Sequence, residues 1–330
     1  MSNDLPPARR ITLPGRKTSA GVVEAPITLS VHESGRGPAV VLCHGFPELA
    51  YSWRHQIPAL AAAGLRVIAP DQRGYGGSDA PEPVEAYDLE HLTSDLVALL
   101  DAVGIERAVF AGHDWGGFVA WAMPLLHPQR TAGVIGVNTP YMAFPTTTVL
   151  RQVFDSDEKL YILWFQTSGV AEGLLDRSPR LVFEKMMRRG RPSSGGLLRR
   201  VREGGDANPF RRIESFEPIG EPLLTDAEID TYTRGFTRNG FRGPINWYRN
   251  VDRNQAMYSE IGSRRLEVPC LMITAEWDVA IPPELAAGMP AICSDLEMHM
   301  IAGCGHWTQQ EKPDELSRLM TDWLTRRFLR

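Results

Sequence analysis

Short apolar runs alternate with stretches of helical periodicity through the first 140 residues. Ala39–Cys43 (A-V-V-L-C), Arg66–Ala69 (R-V-I-A) and Ala108–Ala111 (A-V-F-A) are apolar at nearly every consecutive position, as strands buried on both faces of a parallel sheet must be. Between them, Leu92, Leu96, Leu99 and Leu100 recur at helical spacing within Leu89–Val103, which gives that helix one apolar face to lay on the sheet. This βαβ succession predicts a parallel sheet covered by helices. The pattern stops after Asn138-Thr139-Pro140. It resumes at Val268–Ile273 and Leu296–Ile301, with a closing helix over Pro313–Phe328. Residues 141 to about 255 carry helical patterns rich in Arg, Trp and Tyr, are broken by a Gly/Pro-rich stretch at 190–209, and lack convincing strands. They are expected to form a helical insertion at one edge of the sheet.

A length of 330 residues fits two domains or one large domain with an insertion. A hydrophobic share of 43% and a charged share of 23% describe an ordinary globular protein. The net charge of −5 provides no global positive field for phosphate backbones, so nucleic acid is not an expected partner. Cys43, Cys270, Cys293 and Cys304 form no C-x-x-C pair and read as buried free thiols rather than zinc ligands or redox centres. No run approaches the ~20 apolar residues that span a bilayer, and no apolar stretch follows the N-terminal arginines. The expected location is the cytoplasm.

The chemistry sits where strands end. The strand Ala108–Ala111 runs into Gly112-His113-Asp114-Trp115-Gly116-Gly117 and then a helix over Phe118–Leu126. This has the form of a nucleophile elbow, G-x-nucleophile-x-G, with aspartate in the place usually held by serine. The bland alternative is a Gly-rich turn with Asp114 as a helix N-cap. His44-Gly45-Phe46-Pro47 closes the Ala39 strand, where this kind of sheet supplies half of an oxyanion hole. The backbone N–H groups of Phe46 and Trp115 are the candidate donors. Asp278 follows the strand ending Thr274-Ala275-Glu276-Trp277, and His306 lies in Gly303-Cys304-Gly305-His306-Trp307. The order nucleophile, acid, histidine is the one used by α/β-hydrolases. Asn138 and Thr139, after the preceding strand, offer no carboxylate, which leaves Asp278 as the orienting acid.

H-G-F-P-E-L-A-Y-S-W-R-H-Q at 44–56, D-Q-R-G-Y-G-G-S at 71–78, G-H-D-W-G at 112–116, G-F-R-G-P-I-N-W-Y-R-N at 240–250 and C-G-H-W at 304–307 together resemble the soluble epoxide hydrolases of the α/β-hydrolase superfamily. The likeness is to the bacterial type and to the C-terminal domain of the mammalian enzyme. It implies an α/β-hydrolase fold: a mostly parallel eight-stranded sheet flanked by helices, with a helical cap inserted after the sixth strand. Residues 1–140 and 256–330 would then be the core, and 141–255 the cap or lid. By motif, the two tyrosines that such caps aim at the substrate oxygen fall on Tyr161 and Tyr248. Trp53, Phe165 and Trp247 are expected to line the substrate site beside Trp115.

Aspartate suits this chemistry, because alkylation of serine would give an ether that the same histidine could not hydrolyse, whereas aspartate gives an ester. Asp114 is expected to attack a ring carbon while Tyr161 and Tyr248 protonate the departing oxygen. His306, oriented by Asp278, then activates water against the ester to release a vicinal diol. The expected partners are an apolar epoxide and water, with no metal or organic cofactor; a homodimer is left open. Two other readings compete: a dehalogenase of the same superfamily, whether acting on haloalkanes or haloacids, and a non-catalytic ligand-binding protein of this fold. The arginines of 188–212, interrupted by Glu203 and Asp206, read as a solvated cap surface.

Overall fold

The computed structural model describes residues 5–192, 206–261 and 264–329, apart from residues 20 and 22. One sheet of eight strands runs in the order β1-β2-β4-β3-β5-β6-β7-β8. The strands are β1 Arg9–Leu13, β2 Ile27–Ser34, β3 Ala39–Cys43, β4 Arg66–Asp71, β5 Ala108–His113, β6 Thr131–Val137, β7 Cys270–Ala275 and β8 Leu296–Ile301. β2 pairs antiparallel with β1 and β4, and every other pair is parallel. The central strands β3, β5 and β7 are buried at every position, which is why their apolar runs announce them. β1, R-R-I-T-L, is exposed or half-exposed at four of its five positions, so an edge strand of this kind carries no such run. β4, β5 and β7 each extend about two residues beyond their apolar stretches, carrying Asp71, His113 and the approach to Asp278 to the carboxyl end of the sheet.

The helices are α1 Gln56–Ala62, α2 Leu89–Ala102, α3 Trp115–Leu126, α4 Thr147–Val153, α5 Tyr161–Trp164, α6 Val170–Leu175, α7 Pro179–Met186, α8 Asp226–Asn239, α9 Arg242–Arg249, α10 Val251–Ile261, α11 Met289–Ile292, α12 Thr308–Glu311 and α13 Pro313–Phe328. Alternation along the strands divides the core. Val41 and Cys43 join the large cluster that continues into the insertion, whereas Val40 and Leu42 join a second cluster with α1 and α13. Helices α4 to α10 lie between β6 and β7, as the helical pattern predicts. Among the described residues of this stretch the strand-type pairings are the isolated bridges Leu160–Ala207 and Arg188–Pro222. α10 runs unbroken through residue 255, so a boundary placed there falls inside a helix. No described helix is long and apolar enough to cross a membrane.

Trp53 departs from expectation. It is fully buried in the second cluster with Ala50, Ile57, Leu60 and Trp323, away from the aromatic residues around Asp114. Positions 50, 53, 57 and 60 fall on one helical stripe through the turn Ala50–Trp53 and α1, and that stripe faces the core. The four cysteines are free and buried, as expected. Of the basic segment, Arg199, Arg200 and Arg202 lie outside the described residues. Arg211 pairs with Glu158 and Asp206, and Arg212 with Asp206.

Candidate active site

Asp114 caps α3 with φ +50° and ψ −122°, a left-handed conformation that a non-glycine residue adopts only when its surroundings impose it. The surroundings here are glycines. A Cβ at Gly112 would lie 2.0 Å from the Gly116 carbonyl oxygen, and one at Gly116 would lie 2.1 Å from that of Cys43. The chain can therefore turn sharply out of β5 into α3 only with both glycines present. Thr139, past the end of β6, fastens the turn. Its hydroxyl donates to the Asp114 carbonyl at 2.8 Å, and its own carbonyl accepts the Trp121 indole N–H at 2.8 Å.

The loop after β3 is fixed by the residues of the 71–78 motif. Buried His44 accepts the Gln72 backbone N–H on Nε2 at 3.0 Å, and burial lowers its pKa, which favours the neutral ring. Asp71 accepts the backbone N–H groups of Ala50 at 3.0 Å and Gly77 at 2.9 Å. Held this way, the Phe46 N–H donates to Asp114 Oδ1 at 2.8 Å, and the Trp115 N–H also bonds the carboxylate. Two amides thus converge on this carboxylate. Burial pushes the Asp114 carboxyl above the usual carboxylate range, opposed by His306, His113 and these two amides.

Asp114, Asp278 and His306, far apart in sequence, meet at the carboxyl end of the sheet. His306 Nδ1 donates to Asp278 Oδ2 at 2.9 Å, while its Nε2 lies 3.7 Å from Asp114 Oδ2. Asp278 Oδ1 also accepts the backbone N–H groups of Ala280 at 2.8 Å and Ile281 at 2.9 Å. Burial alone would raise Asp278, but the His306 charge and the hydrogen bonds from His306, Ile281 and Asn138 hold it below the usual range. Burial likewise opposes charge on His306, yet Asp278, then Asp114 and Glu48, raise the imidazole to about 9.

Tyr161 and Tyr248 come together within reach of the Asp114 charge. Their ring centroids are 5.7 Å apart and their side chains share a hydrogen bond. Burial first, then the charge of Asp114 among other groups, drives both phenols well above their ordinary pKa, so both stay protonated as donors. Phe165 packs edge-on to Phe46 and Tyr248. Trp115 meets Tyr248 at 5.0 Å. Trp247 meets Trp115 edge-on at 5.9 Å and donates its indole N–H to the Arg73 carbonyl at 3.2 Å. No group of three or more His, Cys, Asp or Glu residues suited to a metal ion occurs among the described residues.

Sequence reasoning overlooked several neighbours. Asn138, set aside as unable to supply a carboxylate, donates its side-chain N–H to Asp278 Oδ2 at 2.6 Å. Glu48 and His113 stood inside quoted motifs without a role. They are fully buried and paired at 2.8 Å, and His113 Nε2 is 2.7 Å from the His306 carbonyl. Phe210, hidden in the basic segment, packs against Phe46, Tyr161 and Phe165. Phe144 stacks on Trp115 at 5.3 Å. An aromatic residue next to Asn208-Pro209, in an otherwise charged stretch, was the available signal for Phe210.

The α/β hydrolase fold family matches residues 38–313. Over 91% of its length the chain is 43% identical to epoxide hydrolase A of Mycobacterium tuberculosis, covering 94% of that protein. It is 41% identical to bifunctional epoxide hydrolase 2 of Sus scrofa over 92% of its own length but spans only 54% of that relative. The crystal structure of epoxide hydrolase A from Mycobacterium thermoresistibile is 38% identical and superposes with a TM-score of 0.79, covering 96% of this chain and 98% of that one. The structure of an epoxide hydrolase from an endophytic Streptomyces is 34% identical and superposes with a TM-score of 0.82, covering 96% and 95%.

Proposed function

The chain belongs to the α/β hydrolase fold family and, within it, to the epoxide hydrolases, and we propose that it converts apolar epoxides to vicinal diols through an ester on Asp114. The observation that carries this reading is a carboxylate at the elbow facing two protonated phenols, with an imidazole–carboxylate pair behind it. Oδ1 of Asp114 is engaged by the Phe46 amide, which leaves Oδ2 to attack a ring carbon. Tyr161 and Tyr248 hydrogen-bond the ring oxygen, and one of them gives it a proton as the C–O bond breaks.

Alkylation turns the Asp114 anion into a neutral ester. His306 then faces one carboxylate fewer and its proton affinity falls. The proton it releases restores the phenol, and the neutral imidazole, still held by Asp278, takes a proton from water attacking the ester carbonyl. The charge that develops on Oδ1 meets amides already in place at Phe46 and Trp115, so stabilising it needs no reorganisation. The insertion, helices α4 to α10 and so ending past residue 255, acts as the cap over the core. Phe46, Trp115, Phe165 and Phe210 give the site apolar walls suited to alkyl or aryl epoxides.

Turnover of a panel of lipid, terpene and aryl epoxides to diols tests this function. Halide release from haloalkanes or haloacids without diol formation from any epoxide would contradict it. The two half-reactions should also separate in pH. Ring opening needs the Asp114 anion and should fall off on acidification at a pH above the ordinary carboxylate range, because the folded pKa is raised. Ester hydrolysis needs neutral His306 and should rise with pH to a plateau. Its midpoint should lie below the resting value of about 9, since the Asp114 charge is gone in the ester. Rapid-quench measurement of each step would show this, and coincident pH limbs would overturn it.

A further inference from the structure

The segment directly after His306, Trp307 and the short helix α12, is joined to the helical insertion at three points. The Trp307 indole N–H donates to the Met186 carbonyl at 3.0 Å. The Glu311 carboxylate accepts the backbone N–H groups of Gly190 at 3.0 Å and Gly305 at 3.1 Å. Between them, the Gln310 amide faces two ways. Its Oε1 accepts from Tyr232 of α8 at 3.1 Å and from Arg54 at 2.8 Å, and Arg54 is itself bound to Glu228 of α8 at 2.7 Å. Its Nε2 donates to Glu48 Oε1 at 3.1 Å. Glu48 then pairs with His113, whose other ring nitrogen meets the His306 carbonyl. Gln310, Tyr232, Arg54, Glu48 and His113 are all buried.

On the reading that His306 activates water against an Asp114 ester, we propose that Gln310 is a positioning residue for the second half-reaction, joining helix α8 of the cap to the Glu48–His113 pair that holds the His306 backbone. The neutral amide has an oxygen that accepts from the cap and a nitrogen that donates to Glu48 at once. A buried chain of this kind is worth more intact than broken: without Gln310 the buried Tyr232 hydroxyl loses its bond, while Glu48 Oε1 keeps the Gln309 amide at 2.7 Å. The coupling acts where His306 must aim at water, so it bears on ester hydrolysis and not on ring opening.

Two full-length variants test this. Gln310→Met keeps length and removes both sets of hydrogen bonds. Gln310→Glu keeps the acceptor for Tyr232 and Arg54 but sets a carboxylate against Glu48. Both should slow ester hydrolysis by about 2- to 30-fold, the usual range for residues that couple through a packed network, and leave alkylation unchanged. Hydrolysis then limits turnover, so kcat and KM should fall together while kcat/KM holds, and Gln310→Glu should be the slower of the two. If wild-type enzyme forms no ester in single turnover, the underlying mechanism fails. If it does, and the ester of either variant decays at the wild-type rate, the role of Gln310 is refuted. Equal losses in both half-reactions, or recovery of wild-type hydrolysis in Gln310→Glu, would reduce Gln310 to a structural tie between cap and core and overturn its positioning role.

Discussion

Replacing His306 by Gln is expected to leave ring opening largely intact and to slow ester hydrolysis by about a hundred- to ten-thousand-fold, the usual contribution of a positioned general base. The asymmetry follows from the geometry. In the proposed mechanism Asp114 attacks carbon with its own oxygen and has no proton to shed, so the first step makes no demand on a base. The proposed second step draws its nucleophile from water, and the imidazole held by Asp278, 3.7 Å from Asp114, would be its base. Glutamine retains a donor toward Asp278 but takes no proton at neutral pH. Intact mass of the variant after mixing with epoxide should rise by one substrate, and peptide mapping should place the addition on Asp114. Diol formation at the wild-type rate, or an adduct elsewhere, would remove His306 from this role.

Tyr161→Phe and Tyr248→Phe bear on the other half-reaction. An alkoxide is a poor leaving group without a proton donor, and two converging phenols share the charge it develops. Each single substitution should slow alkylation by roughly ten- to ten-thousand-fold, from partial to complete loss of one acid catalyst. Hydrolysis of an ester already formed should change little. Burial keeps both phenols protonated, so the loss should persist across neutral pH. Tyr248 is the more enclosed, set among Phe46, Trp115 and Phe165, and its loss also leaves a buried space at the hydroxyl. Thermal denaturation of both variants separates that packing effect from the chemical one. Near-normal alkylation in both would exclude the phenols from ring opening.

The parts of the fold most legible in the sequence are those where burial is complete. β3, β5 and β7 are enclosed on both faces and leave apolar runs. The exposed edge strand β1 leaves none. At the site, residues that stand at strand ends beside obligatory glycines are readable, because the backbone there restricts the choice: Asp114 between Gly112 and Gly116 is the clearest case. What the sequence hides is direction. Trp53 and Trp247 sit in motifs beside the chemistry, but the stripe that runs through Ala50–Trp53 into α1 turns one into the second core cluster, and a hydrogen bond ties the indole of the other to the Arg73 carbonyl. Asn138 and the Glu48–His113 pair escaped notice because their work is done through other side chains, which only three-dimensional contact reveals.

The measurement that bears most directly on the ester is the source of the oxygen in the first turnover, with enzyme in excess over epoxide in heavy-oxygen water. If Asp114 attacks carbon and water later attacks the ester carbonyl, the first diol carries a carboxylate oxygen of Asp114 and solvent oxygen stays on the enzyme. The diol should be almost unlabelled and the peptide containing Asp114 should gain label. Heavy oxygen in the first-turnover diol, with none in that peptide, would mean that water opens the ring directly and that Asp114 is not the nucleophile.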